Sequence, residues 1–166
     1  MKEAGIKSRT AKKFKATTNS DHNLPVAGNL LNREFTATMP NQKMVSDITY
    51  LWTEEGWLYI ASVMDLYGQK IVGLSMSERI TKELVINALK SAWMRAGRPS
   101  GVLFHSDRGS QYCSQDFQAL LREYGFTCSM SRKGDCWDNA PKEAFWGKMK
   151  CEWLHGKRLK HGQKPV

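Results

Sequence analysis

The chain predicts an α/β fold: a mixed five-stranded sheet with helices on both faces. Two patterns carry that expectation. Three strand-like stretches follow one another through hairpin turns, and helical and strand periodicities then alternate. With 166 residues there is one domain's worth of chain, enough for a real hydrophobic core.

Residues 1–24 are basic and polar without long periodicity and read as a linker. The stretch 25–41, with Pro25, Gly28, Asn29, Asn32 and Pro40, reads as an extended connector in which His22, just before it, is solvated. Residues 45–52, 57–65 and 70–77, rich in branched and aromatic side chains, read as strands with turns at E-E-G and L-Y-G-Q. A helix follows over about 81–96, with Leu84, Ala88, Ala92 and Trp93 inward, stopped by Gly97 and Pro99. The strand 101–106, a helix at 115–124 and the strand 126–130 come next. The last helix starts at about Asn139, capped by Asp138 and Asn139, with Pro141 in its first turn. Phe145, Trp146, Met149 and Trp153 make its apolar face, Glu143 lies off that face, and Lys150 returns to the direction of Glu143 two turns later.

The formal charge of +9 sits at the two ends. Residues 1–15 carry net +5, residues 132–166 another +5, and the middle net −1. Positive ends around a near-neutral core suit a polyanion such as nucleic acid. No apolar run approaches the ~18–20 residues that span a bilayer, and no signal-peptide core opens the chain, so the expected location is the cytoplasm. Cys113, Cys128, Cys136 and Cys151 show no C-x-x-C pair and no zinc-type spacing, which predicts reduced thiols.

Asp47 interrupts the strand V-S-D-I-T-Y-L, and an acid in a buried strand is costly unless paired or metal-bound. Asp107 ends the short strand in G-V-L-F-H-S-D, and 35 residues separate it from Glu143. Together with the local contexts N-Q-K-M-V-S-D-I-T-Y, H-S-D-R-G-S-Q-Y and D-N-A-P-K-E-A-F-W-G-K-M-K-C-E, this pattern resembles the integrase catalytic core of bacterial insertion-sequence transposases, specifically the second-frame protein of the IS-three family. These proteins look like retroviral integrases. The resemblance covers roughly residues 1–159. It implies a basic segment and linker over 1–40, a catalytic core over 41–159 and a divergent tail over 160–166. A further helical segment is expected where the chain ends in K-H-G-Q-K-P-V, and a helix-turn-helix before Met1, so both ends read as incomplete. Met44 stands where the family usually has an aromatic residue.

The resemblance also implies the ribonuclease H-like fold, in which Asp47, Asp107 and Glu143 converge as catalytic residues. Three carboxylates together need a cation, and hard oxygen ligands suit magnesium, with manganese as a substitute. Two such ions would support in-line phosphoryl transfer, Asp47 bridging them. Cleavage and strand transfer of element ends into target DNA, by a homo-oligomer on DNA, are the implied activities. Lys150, Arg108, Arg132 and Lys133 are candidate DNA contacts. Asp65 reads as turn chemistry, Asp135 as a loop residue, and His105 as packed or hydrogen-bonded. Trp137 and Trp146 could stack on bases, though spacing puts Trp146 in the core. Two other readings compete: a ribonuclease H-type nuclease, for which Glu83 is the obvious early-helix acid, and a non-catalytic DNA-binding or inhibitory fragment.

Overall fold

The computed structural model describes residues 22–133 and 136–149. Lys150, Trp153, Asp135, Cys151 and the N-terminal basic cluster lie outside the described residues, as does the side chain of Trp137. The elements run β1 (Lys43–Thr53), β2 (Gly56–Asp65), β3 (Lys70–Ser77), α1 (Lys82–Arg95), β4 (Leu103–Ser106), α2 (Gln115–Glu123), β5 (Thr127–Met130) and, after a 3-10 turn at Cys136–Asn139, α3 (Ala140–Met149). The sheet order is β3-β2-β1-β4-β5. β1–β2 and β2–β3 are antiparallel, whereas β1–β4 and β4–β5 are parallel. The mixed five-stranded sheet expected from the pattern is therefore present, and β1 is its hinge between the two kinds of pairing.

Strand alternation sends Met44 and Ile48 of β1 to one face and Val45 and Asp47 to the other. On the first face, Met44, Ile48, Ala61, Val63 and Phe104 bury against Leu84, Ala88 and Leu89 of α1 and Phe117 and Leu121 of α2. The helix α1 lies close on β3 because Gly73 has no side chain. A Cβ there would stand 2.3 Å from the Ala88 carbonyl oxygen. The second face is smaller: Val45, Met64, Leu66 and Leu31 pack with Phe145 of α3.

Residues 22–37 contain no helix or strand, as expected, yet they are a strap fastened to the sheet. The Leu30 and Leu31 amides donate to Ser129 Oγ, and the Met130 amide donates to the Gly28 carbonyl. His22 is a correction to the solvated reading. Its Nδ1 accepts from the Leu24 amide at 3.2 Å, which leaves Nε2–H to donate to the Arg108 carbonyl at 2.8 Å. Asp65 behaves as turn chemistry predicts, accepting from the Asn41 and Gly68 amides. Among the described residues no helix is long and apolar enough to cross a membrane.

Candidate active site

Two acids arrive side by side through strand register. Val45 pairs with His105 in the parallel β1–β4 ladder. Asp47 and Asp107 each follow two residues later, so equal strides along neighbouring strands, about 4.8 Å apart, bring both to the same face. The strand β4 stops at Ser106, and the Asp107 carboxylate closes a turn by accepting from the Gly109 amide at 2.9 Å. Glu143 comes from the first turn of α3, which packs on β1.

The electrostatics show how closely these groups communicate. Burial pushes the Asp47 carboxyl well up, Asp107 pushes it further, and Glu143 adds a smaller push. The Lys142 ammonium and a backbone hydrogen bond at Ile48 oppose them. Glu143 is also raised, by burial. Of the two acids, Asp107 acts on Asp47 more strongly than Glu143 does. Among the described residues no three His, Cys, Asp or Glu side chains group tightly enough to hold an ion by themselves.

Behind the pair lie groups the sequence did not announce. Tyr112 is fully buried and its hydroxyl meets Ser46 Oγ at 2.8 Å. Burial, Asp107 and Asp47 all raise its pKa, so it stays a phenol. Asn139 donates to the Ser46 carbonyl, while its Oδ1 is buried with no hydrogen-bond partner among the described residues. Carboxylate oxygens are the donor chemistry of magnesium. Asp47 and Asp107 fit such an ion only as part of an open site, in which water and phosphate oxygens would supply the remaining ligands.

Asp138 corrects the capping expectation. It lies in the 3-10 turn, fully buried, and accepts from Asn29, Arg33 and Arg132. Arg132, expected at DNA, is engaged with this carboxylate. The Arg108 guanidinium donates to the Ser131 carbonyl. Lys133 is exposed. His105 is buried and hydrogen-bonded as expected. Ser129 Oγ already accepts two amides, so its hydroxyl proton goes to His105 Nδ1 at 2.8 Å. His105 then carries its proton on Nε2, facing Ser131 Oγ. Trp146 is in the core at 5 % exposure.

Comparison with known proteins decides the family. The integrase core domain model matches residues 37–136, more than half of the chain, including Asp47 and Asp107 and ending before Glu143. The chain belongs to the integrase core domain family. It is 49% identical over 165 residues to the insertion element IS600 uncharacterized 31 kDa protein of Shigella sonnei, covering 99% of this chain and 61% of that one. It is 46% identical over 159 residues to transposase InsF for insertion sequence IS3A of Escherichia coli K12, covering 96% of this chain and 55% of that one. This integrase core chain thus spans little more than half the length of these relatives. Among solved structures, the simian T-cell lymphotropic virus intasome in complex with PP2A regulatory subunit B56 gamma superposes with a TM-score of 0.66 at 19% identity, covering 89% of this chain and 59% of that chain. The HTLV-2 integrase catalytic core domain in complex with magnesium, in its dimeric form, gives 0.58 at 18% identity, covering 72% and 74%. At such identities the likeness speaks for the fold, which is ribonuclease H-like as the resemblance implied.

Proposed function

We propose that this integrase core chain catalyses metal-dependent phosphoryl transfer on DNA, cutting strands and joining them as in transposition. The observation that carries this reading is the side-by-side placement of Asp47 and Asp107, with Glu143 in their electrostatic field. Magnesium ions bound to these three carboxylates would activate an attacking water or 3′-hydroxyl and steady the leaving oxygen. Asp47 would contribute to both ions, with Asp107 and Glu143 each completing one site. Tyr112, held protonated by burial and by Asp107 and Asp47, supports the pair from behind as a hydroxyl and not as a nucleophile. Arg108, Lys133, the exposed side of Arg132 and Lys150 are proposed phosphate contacts, acting as a homo-oligomer on DNA. Kinship with a transposase, and with structures of an intasome and a magnesium-bound integrase core, supports both the DNA substrate and the metal.

The ribonuclease H-type alternative is the weaker one. Glu83 is exposed on α1, and the charges that shift Asp47 come from Asp107, Lys142 and Glu143 instead. The reading of a non-catalytic DNA-binding fragment makes a different forecast for strand cleavage. Magnesium at about a hundred times its Kd should stabilise the folded chain by about 2.7 kcal/mol. That corresponds to a melting-temperature rise of about 5–10 °C at this size. Asp107→Asn should abolish most of the rise while the fold persists, and the same rise in Asp107→Asn would sink the shared site. Glu143→Gln should bind DNA without metal as the parent does and cleave none. A parent chain that binds metal and DNA but leaves strands intact would favour the fragment reading.

A further inference from the structure

Among the described residues, Lys142 is the one lysine or arginine that is fully buried. Lysine almost never goes under completely unless something receives its charge. Its Nζ donates to Ser62 Oγ and lies 5.0 Å and 4.8 Å from the ring centroids of Phe145 and Trp146. Ser62 is the residue directly opposite Asp47 in the β1–β2 ladder. Facing Cβ atoms in such a pair stand about 4.5–5.5 Å apart on one face of the sheet. The ammonium is therefore fixed beside the Asp47 carboxyl, on the side away from Asp107. Burial keeps it from any phosphate backbone outside, so Lys142 is not a DNA contact.

We infer that Lys142 is a built-in counter-cation of the carboxylate site, steadying Asp47 when no metal is bound and opposing the divalent ion that would replace it. The inference rests on the reading of Asp47 as a metal ligand and deepens it, because it assigns the chain a metal affinity below that of its carboxylates alone. Two features favour this role over simple core filling. A methionine would fill the same space between Phe145, Trp146 and the sheet without desolvating a charge. The Ser62 hydroxyl and the two ring faces hold the ammonium in place, which suits a fixed charge rather than a mobile one. Burial lowers Lys142 and raises Asp47, and each charge offsets part of that effect on its partner.

The test is calorimetric titration of manganese chloride into the whole chain without DNA, near neutral pH, for the parent and Lys142→Met. Burial lowers the Lys142 ammonium, so it carries only part of its charge near neutral pH, and removing that charge beside a divalent ion should tighten binding about threefold to tenfold. Lys142→Gln, which keeps a donor for Ser62, carries the same forecast if the methionine variant fails to fold. A folded variant that binds manganese no more tightly than the parent overturns the inference, as does absence of binding in all of them. If neither variant folds, the charge is structural and the antagonism is overturned too. Asp107→Asn separates the two levels. Binding that Asp107→Asn weakens but Lys142→Met leaves unchanged refutes the role of Lys142 alone, while binding indifferent to Asp107→Asn refutes the metal site beneath it.

Discussion

Replacing Asp138 by asparagine probes how the strap is locked to the core. Its carboxylate accepts from Asn29 Nδ2 at 2.8 Å, Arg33 Nε at 3.0 Å, and the Arg132 backbone amide, Nε and Nη2 at 2.8, 3.1 and 3.1 Å. Three of these donors meet at Oδ2 and two at Oδ1, so an asparagine NH2 in either position faces donors. Hydrogen bonds to a charged group contribute about 1.5–3 kcal/mol each. Their sum would overshoot, because all share one charge. Breaking a buried pair from one side costs about 3–5 kcal/mol. The two arginines are 45% and 48% exposed, and water takes back part of their charge, which places the expected loss near the lower end, about 3 kcal/mol. Urea unfolding followed by circular dichroism at neutral pH measures it. A loss under about 1 kcal/mol with an unchanged m-value would refute the lock. The pH dependence has a definite sign. Burial alone would raise the Asp138 pKa, but Arg132 and Arg33 hold it well below its ordinary 3.8. Its contribution is therefore full above 3.8 and fades as the pH falls further, so parent and variant should converge in acid.

Other substitutions test other parts of the fold. Gly73→Ala places a methyl 2.3 Å from the Ala88 carbonyl oxygen and 2.7 Å from Ala92 Cβ, so α1 must lift from β3, at a cost of about 3 kcal/mol or more in a thermal or urea melt. Burial lowers His105 from 6.5 to about 4, and the unfolded chain binds the extra proton between those values. Stability should therefore fall as pH drops through that window, by a few kcal/mol at most. His105→Asn should remove that part of the slope, and an identical slope in both chains would refute the neutral, buried histidine.

Much of this architecture was legible because periodicity is local. The strands and helices all fall within about two residues of where alternation and helical spacing place them, the largest differences being at the starts of β1 and β4. Asp47 and Asp107 stood out for a related reason: Asp47 interrupts one largely apolar strand and Asp107 follows directly on another. Lys142 did not. It adjoins a carboxylate on a helix with Phe145 and Trp146 inside, so composition sends it to solvent, and the hydroxyl that receives it lies 80 residues away. Asp138 misled in the same manner. A residue before a helix with a short acidic side chain reads as a cap, and nothing local discloses Asn29 and Arg33, 109 and 105 residues upstream. Long-range partners of single polar groups leave no period in the sequence.

The distance between the strap and its lock has a consequence for synthesis. A ribosome makes Asn29 and Arg33 early and must add more than a hundred residues before Asp138 emerges to receive them. At about 5–20 residues per second, that interval is on the order of 5–20 seconds. Throughout it, the strap lacks the Asp138 clasp even once Ser129 and Met130 are made, and Leu31 has no Phe145 to close its compartment. The last helix therefore completes two things at once. The same late segment that delivers Glu143 also carries the carboxylate that fastens Asn29 and Arg33, so the strap and the candidate site are completed together.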